Sequence, residues 1–490
     1  MATTAGIAAA AQTPLVPHTH RRVRRRSTRV VSRRATDTER EKPDVAKDDT
    51  YEGTMLARAT DTEEKPDVAK DDTYEGTTVG TTEVPRLLGV SLSRYAGSGA
   101  AMLRNGGVAV RHHVAVARGD TNGVTRPLSW SPMMTIGVEI LAGFLEGIAI
   151  EDEEVAALRF RRNENVGTDD PQSADRLLVY LRSLRAMMAV GVPPLLGTRV
   201  QRVTIGDADG IPAVWLTPNS HSWNSKRAPQ RVLLWFHGGA FVLCNTNTHA
   251  RLLSSLGVAG ETRVLSVEYP LAPDQGTHEN MVDAADRAYK WLVSPHGGNV
   301  LPENVVIGGD SAGGHLACGL AQRLAPSVDG GENGDVAPPA GLVLLSPWLD
   351  PERELETTKK AWADASATSV DYLRAVEGSM SCVVELVFGD TGDGTTAPRC
   401  LLDPSLYAGR KMPPCLIQCG GVEVLAGESK TLADLAAAAG WDVTLEVAEN
   451  MPHVFQVLDS VSPQGGEAIE SAGQFIKRRT RATEETIWIH

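Results

Sequence analysis

A serine flanked by glycines is the part of this sequence whose chemistry is clearest. The letters GDSAG at 309–313 form a G-x-S-x-G motif around Ser311. The apolar run VVIGG at 305–309 predicts a strand before the serine, and a helical pattern follows it. Flanking glycines permit the sharp turn from strand to helix that exposes a serine Oγ as a nucleophile. The motif is short enough to arise by chance, so its strand–turn–helix context is what indicates a catalytic serine.

A second motif, HGGAF at 237–241, stands where the apolar run LLWF at 233–236 ends. Small residues at the end of a strand let backbone N–H groups approach a developing oxyanion, which contributes about 3 kcal/mol per donor. The sequence contains its own comparison, since HGG also occurs at 296–298. There it follows a predicted helix that ends near Val293, so it predicts a turn after a helix and no oxyanion site.

A nucleophilic serine needs a base and an acid that orients the base. After a strand–turn–helix G-x-S-x-G motif these follow in the order serine, acid, histidine. His453, in the loop after the last predicted strand, is the candidate base. Glu423, at the end of the preceding strand, is the candidate acid, because a buried carboxylate fixes the ring tautomer and stabilises the imidazolium. Glu428 is the competing acid, although it is also placed to begin the next helix.

These residues need a scaffold, and the sequence after Leu196 predicts one. Short β-branched runs alternate there with helical stretches, which indicates a mostly parallel sheet of eight strands with flanking crossover helices. The first two strands leave no room for a helix between them, so we expect them to pair antiparallel. The predicted strands are 199–205, 213–218, 231–237, 263–269, 304–309, 341–346, 414–420 and 443–448, and the predicted helices are 247–260, 279–294, 311–325, 428–440 and 465–480.

Two regions outside this alternation predict a helical cap. The first, about 125–195, includes the apolar stretch 131–150, which Glu139 and Glu146 interrupt. Charges at those depths are costly in lipid, so the stretch is interpreted as an amphipathic helix over an apolar surface and not as a membrane span. The second region, about 350–390, is an insertion expected over the carboxyl edge of the sheet, where a substrate lid lies.

Residues 1–120 are predicted to form a mostly disordered extension, which leaves 121–490 as the catalytic domain. The first 34 residues are rich in arginine and lack acids, a composition typical of mitochondrial transit peptides. A basic disordered tail and a misassigned start are the alternatives. The segment EKPDVAKDDTYEGT at 41–54 returns unchanged at 64–77. Two charged copies that contain proline are too few and too polar to stack into a repeat fold.

The overall charge argues against a nucleic-acid partner. The 48 Lys and Arg residues face 61 Asp and Glu residues, and the formal net charge of -13 repels phosphate backbones. Six cysteines in 490 residues do not make a disulfide framework, and no paired C-x-x-C motif indicates zinc. This cysteine content fits a reducing compartment. We therefore expect a cytoplasmic protein, with mitochondria as the alternative that the arginine-rich N-terminus indicates.

Taken together, the motifs resemble the hormone-sensitive-lipase-like branch of the α/β-hydrolases. The resemblance covers residues 200–480 and implies the α/β-hydrolase fold and a carboxylesterase-like or lipase-like activity. The region before about 125 carries no motif of this family. The motifs that carry the resemblance, in chain order, are HGGAF (237–241), EYPLAPD (268–274), GDSAGG (309–314), GGVEVL (420–425) and MPHVF (451–455).

The resemblance also implies a role for each matching residue. Ala240 departs from the family, since it stands at the third glycine of H-G-G-G, and alanine does not easily adopt a positive φ. Glu423 stands where the usual acid is Asp, and Pro270 replaces a common arginine and removes a donor. The implied roles are Ser311 as nucleophile, His453 as base, Glu423 as acid, and the N–H groups of Gly238, Gly239 and Ala312 as the oxyanion hole.

These expectations lead to hydrolysis of carboxylic esters with short to medium acyl chains through an acyl-enzyme, with no metal or organic cofactor. An amidase, a formamidase, or a deacetylase of a sterol or secondary metabolite would use the same triad. A non-catalytic receptor of the same fold would be expected to lack a triad member, and a lipase anchored by 131–150 is a further alternative. The expected partner is a small-molecule ester, with no nucleic acid and no integral membrane span, and a homodimer is left open.

Overall fold

The computed structural model describes residues 84–117, 126–127, 129–147, 172–206, 210–218, 231–329, 336–353, 355–368, 371–389 and 399–481. Eight strands form one sheet, and their bounds lie within two residues of those predicted. The strands are β1 (Arg199–Ile205), β2 (Ile211–Thr217), β3 (Val232–Phe236), β4 (Arg263–Val267), β5 (Val305–Asp310), β6 (Gly341–Leu345), β7 (Cys415–Gly420) and β8 (Val443–Ala448).

The strand order across the sheet is β1-β2-β4-β3-β5-β6-β7-β8. β1 pairs antiparallel with β2, as expected from their short connection, and β2 pairs antiparallel with β4. All the remaining neighbours are parallel. The carboxyl ends of β3 to β8 therefore meet at one edge of the sheet, where open α/β folds place their ligand sites. This is the predicted α/β-hydrolase architecture.

Both faces of the sheet are buried, which is typical of parallel strands covered by helices. Successive residues of a strand point to opposite faces, so neighbouring apolar residues enter different clusters. Leu234, Ile307 and Leu344 belong to one buried cluster, and Leu233, Val306 and Val343 belong to the other.

Helices cover these two faces and the carboxyl edge. The helix side chains of the Leu233 cluster come from the fourth and tenth helices, and those of the Leu234 cluster come mainly from the third, fifth, sixth, eighth and ninth. The helices are α1 (Val84–Ala117), α2 (Pro132–Gly147), α3 (Gln172–Met188), α4 (Thr246–Ala259), α5 (His278–Val293), α6 (Ala312–Leu324), α7 (Glu356–Thr368), α8 (Met380–Phe388), α9 (Ala426–Ala439) and α10 (Pro463–Arg479).

Both predicted cap regions contain helices. The first contributes α2 and α3, and the second contributes α7, a 3₁₀ segment at Tyr372–Ser379 and α8. Glu139 of α2 is buried, and it pairs with Arg126 and with Arg374 of the 3₁₀ segment. This ion pair ties the two cap regions together. Within the ranges given above, no helix has the length and apolarity needed to cross a bilayer.

Helix α1 differs from the expectation. The sequence places residues 84–117 in a mostly disordered extension, but they form a helix in the same compact unit as the sheet. Ala101 and Ala109 are buried, and a Cβ on Gly143 would lie 2.7 Å from the carbonyl carbon of Ala101. Close packing of small residues against α2 is a tertiary contact that composition does not reveal. The arginine-rich stretch and both repeats lie outside the described residues, so their disorder stays a prediction.

Replacing Leu234 by alanine should lower the free energy of unfolding by about 2–5 kcal/mol. This side chain is 0% exposed in the centre of the sheet, so its loss leaves a cavity. Leu301→Ala is the matched control, because Leu301 is 57% exposed. Its effect should stay within about 0.5 kcal/mol. Urea unfolding followed by tryptophan fluorescence measures both values, and equal losses in the two variants would contradict the assignment of Leu234 to the core.

Candidate active site

The predicted site residues lie at the carboxyl edge of the sheet. Ser311 follows β5, Glu423 follows β7, and His453 lies in the loop after β8. The HGGA loop begins directly after β3, whose Phe236 is aligned with Gly309 of β5. The strand register therefore places this loop beside the turn that carries Ser311.

Ser311 has a strained backbone, with φ 52° and ψ -121°. A Cβ at Gly309 would lie 2.2 Å from the carbonyl oxygen of Gly313, and a Cβ at Gly313 would lie 2.0 Å from a carbonyl oxygen of β3. Only glycine fits these two positions. The N–H of Ser311 donates to the oxygen of Leu345 at 2.9 Å, and its carbonyl accepts from the N–H of Trp348 at 3.0 Å. These two bonds hold the strained residue against β6 and the segment after it.

The candidate oxyanion loop packs tightly against this turn. A Cβ at Gly238 would lie 2.3 Å from Oδ2 of Asp310, the residue before Ser311. Gly239 has φ 113°, and Ala240 adopts φ 53° although it is not glycine. Ala312 is the first residue of α6, so its N–H has no acceptor within the helix. Ala240 therefore keeps the left-handed backbone that a glycine would adopt at this position. The N–H of Ala312, the third expected donor, lies at a helix N-terminus.

Asp310 is a residue of the site that the sequence reasoning did not single out, although it adjoins Ser311. Its Oδ2 lies 3.0 Å from Nε2 of His249, and its Oδ1 accepts from Nε1 of Trp235 at 3.1 Å. Burial acts to raise the pKa of the Asp310 carboxyl, but the contact with His249 outweighs burial and the pKa lies below its ordinary value. His249 and Trp235 thus hold a charged carboxylate against the candidate oxyanion loop.

His453 and Glu423 are buried neighbours, 3% and 4% exposed. Nδ1 of His453 lies 3.9 Å from Oε1 of Glu423, a separation that permits an ion pair but is longer than a hydrogen bond. Neither atom has a hydrogen-bond partner within the described part of the chain. The two unpartnered atoms face each other, so a small movement would join them.

The other oxygen of Glu423 is held firmly. Oε2 accepts from Oγ of Ser346 at 2.7 Å and from the N–H of Gly420 at 2.8 Å. Oγ of Ser346 in turn accepts from the N–H of Val454, the residue after His453, at 3.0 Å. Ser346 therefore links the loop of the acid to the loop of the base.

Glu428, the competing acid, has a different position. One of its oxygens accepts from the N–H groups of Leu349 and Asp350, at 2.5 and 3.0 Å. Burial raises the pKa of Glu428 to about 8. No contact recorded for the described residues joins Glu428 to His453, so the geometry favours Glu423 as the acid.

The electrostatics of the site favour a charged imidazole. Burial acts to lower the pKa of His453, but Glu423, Asp371 and Asp310 together outweigh burial and raise it above its ordinary value. Burial raises the pKa of Glu423, although His453 acts in the opposite direction. A raised pKa makes the neutral form of the imidazole a stronger proton acceptor.

Asp371 is a second residue that the sequence reasoning missed. Its side chain is 0% exposed, and it accepts from the N–H of His453 at 3.1 Å and from the N–H of Val424 at 3.0 Å. Asp371 lies in the 350–390 insertion, far along the chain from both partners. No local pattern marks such a contact, so the sequence offered no signal for it.

A cavity of about 230 Å³ has both Ser311 and His453 in its wall. The two cap regions supply most of the apolar lining, which is the place predicted for a substrate lid. An apolar group bound there would lie beside both residues. The lining from the caps comprises Leu141, Phe144, Leu145, Met188, Trp362, Tyr372, Leu373, Val376, Met380 and Val383.

Comparison with known proteins gives consistent matches. A family model of the α/β-hydrolase fold matches residues 233–457. Carboxylesterase/phospholipase LipF of Mycobacterium tuberculosis is 33% identical over 250 residues, 51% of this chain and 62% of LipF. An acetyl-hydrolase of Streptomyces hygroscopicus is 31% identical over 318 residues, 64% of this chain and 93% of that protein. The match to LipF thus spans less than two thirds of that relative.

A solved structure gives the same fold. The crystal structure of EstE5 soaked with p-nitrophenyl butyrate is 26% identical to this chain, with a TM-score of 0.50. The match covers 67% of this chain and 99% of EstE5. Together with the parallel sheet and the strained serine after β5, these matches show that the chain belongs to the hormone-sensitive-lipase-like family of α/β-hydrolase proteins.

Proposed function

We propose that this chain hydrolyses carboxylic esters with short to medium acyl chains, using Ser311, His453 and Glu423 as a catalytic triad. One observation carries the proposal. Ser311, in its strained conformation, and His453, which is buried, line the same apolar cavity, and Glu423 lies 3.9 Å from the Nδ1 of His453. The names of the relatives, carboxylesterase/phospholipase and acetyl-hydrolase, support this class of reaction.

The reaction proceeds in two halves. His453 takes the proton of Ser311 as Oγ attacks the ester carbonyl carbon, and Glu423 stabilises the imidazolium. The tetrahedral intermediate collapses, His453 gives the proton to the leaving alcohol, and the acyl group stays on Ser311. A water molecule that loses its proton to His453 then attacks the acyl carbon. The carboxylic acid leaves as His453 returns the proton to Ser311.

The developing oxyanion is stabilised by the N–H groups of Gly238, Gly239 and Ala312. The first two belong to the loop that packs on Asp310, and the third is at the N-terminus of α6. A helix N-terminus carries a partial positive charge, which favours an anion beside it. Donors held in place before reaction stabilise the transition state without reorganisation.

The size of the cavity supports a preference for smaller acyl groups. Its volume of about 230 Å³ is below the range of roughly 300–1,000 Å³ typical of pockets for drug-sized ligands. A long acyl chain would need the cap segments to move apart.

A second candidate function is the removal of an acetyl group from a larger alcohol, such as a sterol or a secondary metabolite. The same triad would act, and only the acetyl group would enter the cavity. The small volume and the resemblance to the Streptomyces acetyl-hydrolase favour a small transferred acyl group such as acetyl.

Removal of the triad side chains should abolish most of the activity. Ser311→Ala and His453→Ala should each lower kcat/KM by roughly 10³-fold or more, and Glu423→Ala nearly as much. The measurement is hydrolysis of p-nitrophenyl esters from acetate to palmitate. Glu428→Gln, at the competing carboxylate, should retain activity. A wild-type protein that is inert on every ester and is not labelled at Ser311 by a fluorophosphonate would contradict the proposal.

The pH profile should follow His453. This residue must be neutral to accept a proton, and its pKa is raised, so kcat/KM should be present above that pKa and lost as the pH falls through it. The midpoint should lie above the ordinary histidine pKa of about 6.5. Glu423→Gln removes a carboxylate that raises this pKa and should move the midpoint to lower pH. Profiles of kcat/KM for both proteins measure the shift, and identical midpoints would refute the role of Glu423.

The oxyanion loop should not tolerate a side chain at Gly239. A Cβ there would lie 2.2 Å from the carbonyl oxygen of Leu243, at φ 113°. Gly239→Ala should therefore displace the donors and lower kcat by roughly 10²- to 10³-fold. Ala240→Gly is the matched control on the next residue, because φ 53° suits glycine and activity should be kept. Equal activity of the two variants would remove this loop from the mechanism.

A further inference from the structure

The carboxylate of Asp371 joins the two loops that carry the candidate acid and base. Oδ1 accepts from the N–H of His453 at 3.1 Å, and Oδ2 accepts from the N–H of Val424 at 3.0 Å. Val424 is the residue after Glu423. One oxygen of Asp371 therefore fixes the main chain at His453, and the other fixes it at the residue after Glu423.

The bonds of Asp371 fix the main chain at His453 and Val424. Ser346 acts at two other points, the side chain of Glu423 and the main chain of Val454. Ser346 binds the carboxylate of Glu423 and the N–H of Val454. Asp371 and Ser346 thus form two separate ties between the same two loops. Two ties at different points restrain both the separation of the loops and their rotation.

Asp371 belongs to the second cap region, and its own position is well anchored. Arg374 donates to the carbonyl oxygen of Asp371 at 2.7 Å and pairs with Glu139 of α2 at 3.1 Å. The next residue, Tyr372, lines the cavity, and its ring lies 5.9 Å from the imidazole of His453 in an edge-to-face arrangement. The segment that lines the cavity is therefore the segment that ties the loops.

We propose that Asp371 is a positioning residue, which holds the loops of Glu423 and His453 together and thereby couples the cap segment at 371–379 to the geometry of the triad. This inference rests on the proposed function. Asp371 is not in the wall of the cavity and does not touch the reacting atoms; it acts through the backbone of His453. Loss of its bonds to His453 and Val424 should lower kcat while substrate binding is kept.

The charge of Asp371 has a second effect that a neutral support would lack. It is one of the carboxylates that raise the pKa of His453. Removing this charge should lower that pKa, so the acid limb of kcat/KM should move to lower pH. The charged or titratable groups around Asp371 and His453 are Glu423, Asp310, Tyr372 and Arg374, and all of them remain in the variants below.

Asp371→Asn is the test variant. Both oxygens of Asp371 accept from backbone N–H groups, so the amide of asparagine must turn an NH₂ group towards one of the two donors. We expect a fall in kcat of roughly 10- to 100-fold on p-nitrophenyl butyrate, with KM little changed. We also expect the acid limb to move to lower pH. Circular dichroism and thermal melting establish that the variant is folded.

Glu428→Gln is the matched control. Glu428 is also a buried carboxylate that accepts from two backbone N–H groups, but a single oxygen accepts from both. Glutamine keeps that oxygen, and the pKa of about 8 makes Glu428 largely uncharged at neutral pH. This variant should keep the wild-type kcat and the wild-type acid limb.

Asp371→Glu carries the test if the asparagine variant does not fold. It keeps the charge, so the acid limb should stay at the wild-type pH, while the longer side chain displaces the loops and lowers kcat.

A folded asparagine variant with wild-type kcat and an unmoved acid limb would overturn the inference, as would wild-type kcat in the glutamate variant. Either result in an active enzyme leaves ester hydrolysis standing. A wild-type protein and Glu428→Gln that are both inert on all esters would instead overturn the proposed function and this inference with it.

Discussion

Holding Ser311 at a positive φ costs of order 1–3 kcal/mol, and the surrounding structure has to supply that energy. Two arrangements do so. The glycine at 309 lets β5 approach α6, and the glycine at 313 lets α6 approach β3, more closely than any side chain would allow. The backbone of Ser311 also bonds to Leu345 and to Trp348. Because the turn is fixed by the parallel pairing of β5 with β3 and β6, the most buried part of the sheet positions Ser311, the proposed nucleophile, and the candidate oxyanion loop.

The site also concentrates buried carboxylates, and the structure handles each of them differently. Asp310 has a histidine partner, and its pKa is lowered. Asp371 and Glu423 receive N–H or hydroxyl donors but keep raised pKa values because burial dominates. Glu428 has a pKa raised to about 8 and accepts from the N–H groups of Leu349 and Asp350. Burial of an acid is unfavourable, and buried groups with perturbed pKa values concentrate at functional sites. The cluster of carboxylates around His453 therefore supports its proposed role as the base.

The two cap regions enclose a small apolar cavity beside Ser311 and His453. Its walls come from α2 and α3, which precede the sheet in the chain, and from the insertion that follows β6. Glu139 and Arg374 join these two parts through a buried ion pair. An ion pair of this kind contributes little net stability but penalises arrangements that separate its partners, so it favours one relative placement of the two cap segments.

The sequence by itself determined the local features: the strands, the glycine-flanked turn of Ser311, the HGGA loop after β3 and the position of His453 after the last strand. Each of these depends on residues that are neighbours in the chain, through side-chain periodicity, glycine backbone freedom and strand order. Only the tertiary structure placed Glu423 beside His453, joined Asp371 to His453, paired Asp310 with His249 and packed α1 on α2. These contacts bring together segments far apart in the chain. Residues that meet only in the folded protein show no periodic pattern along the sequence.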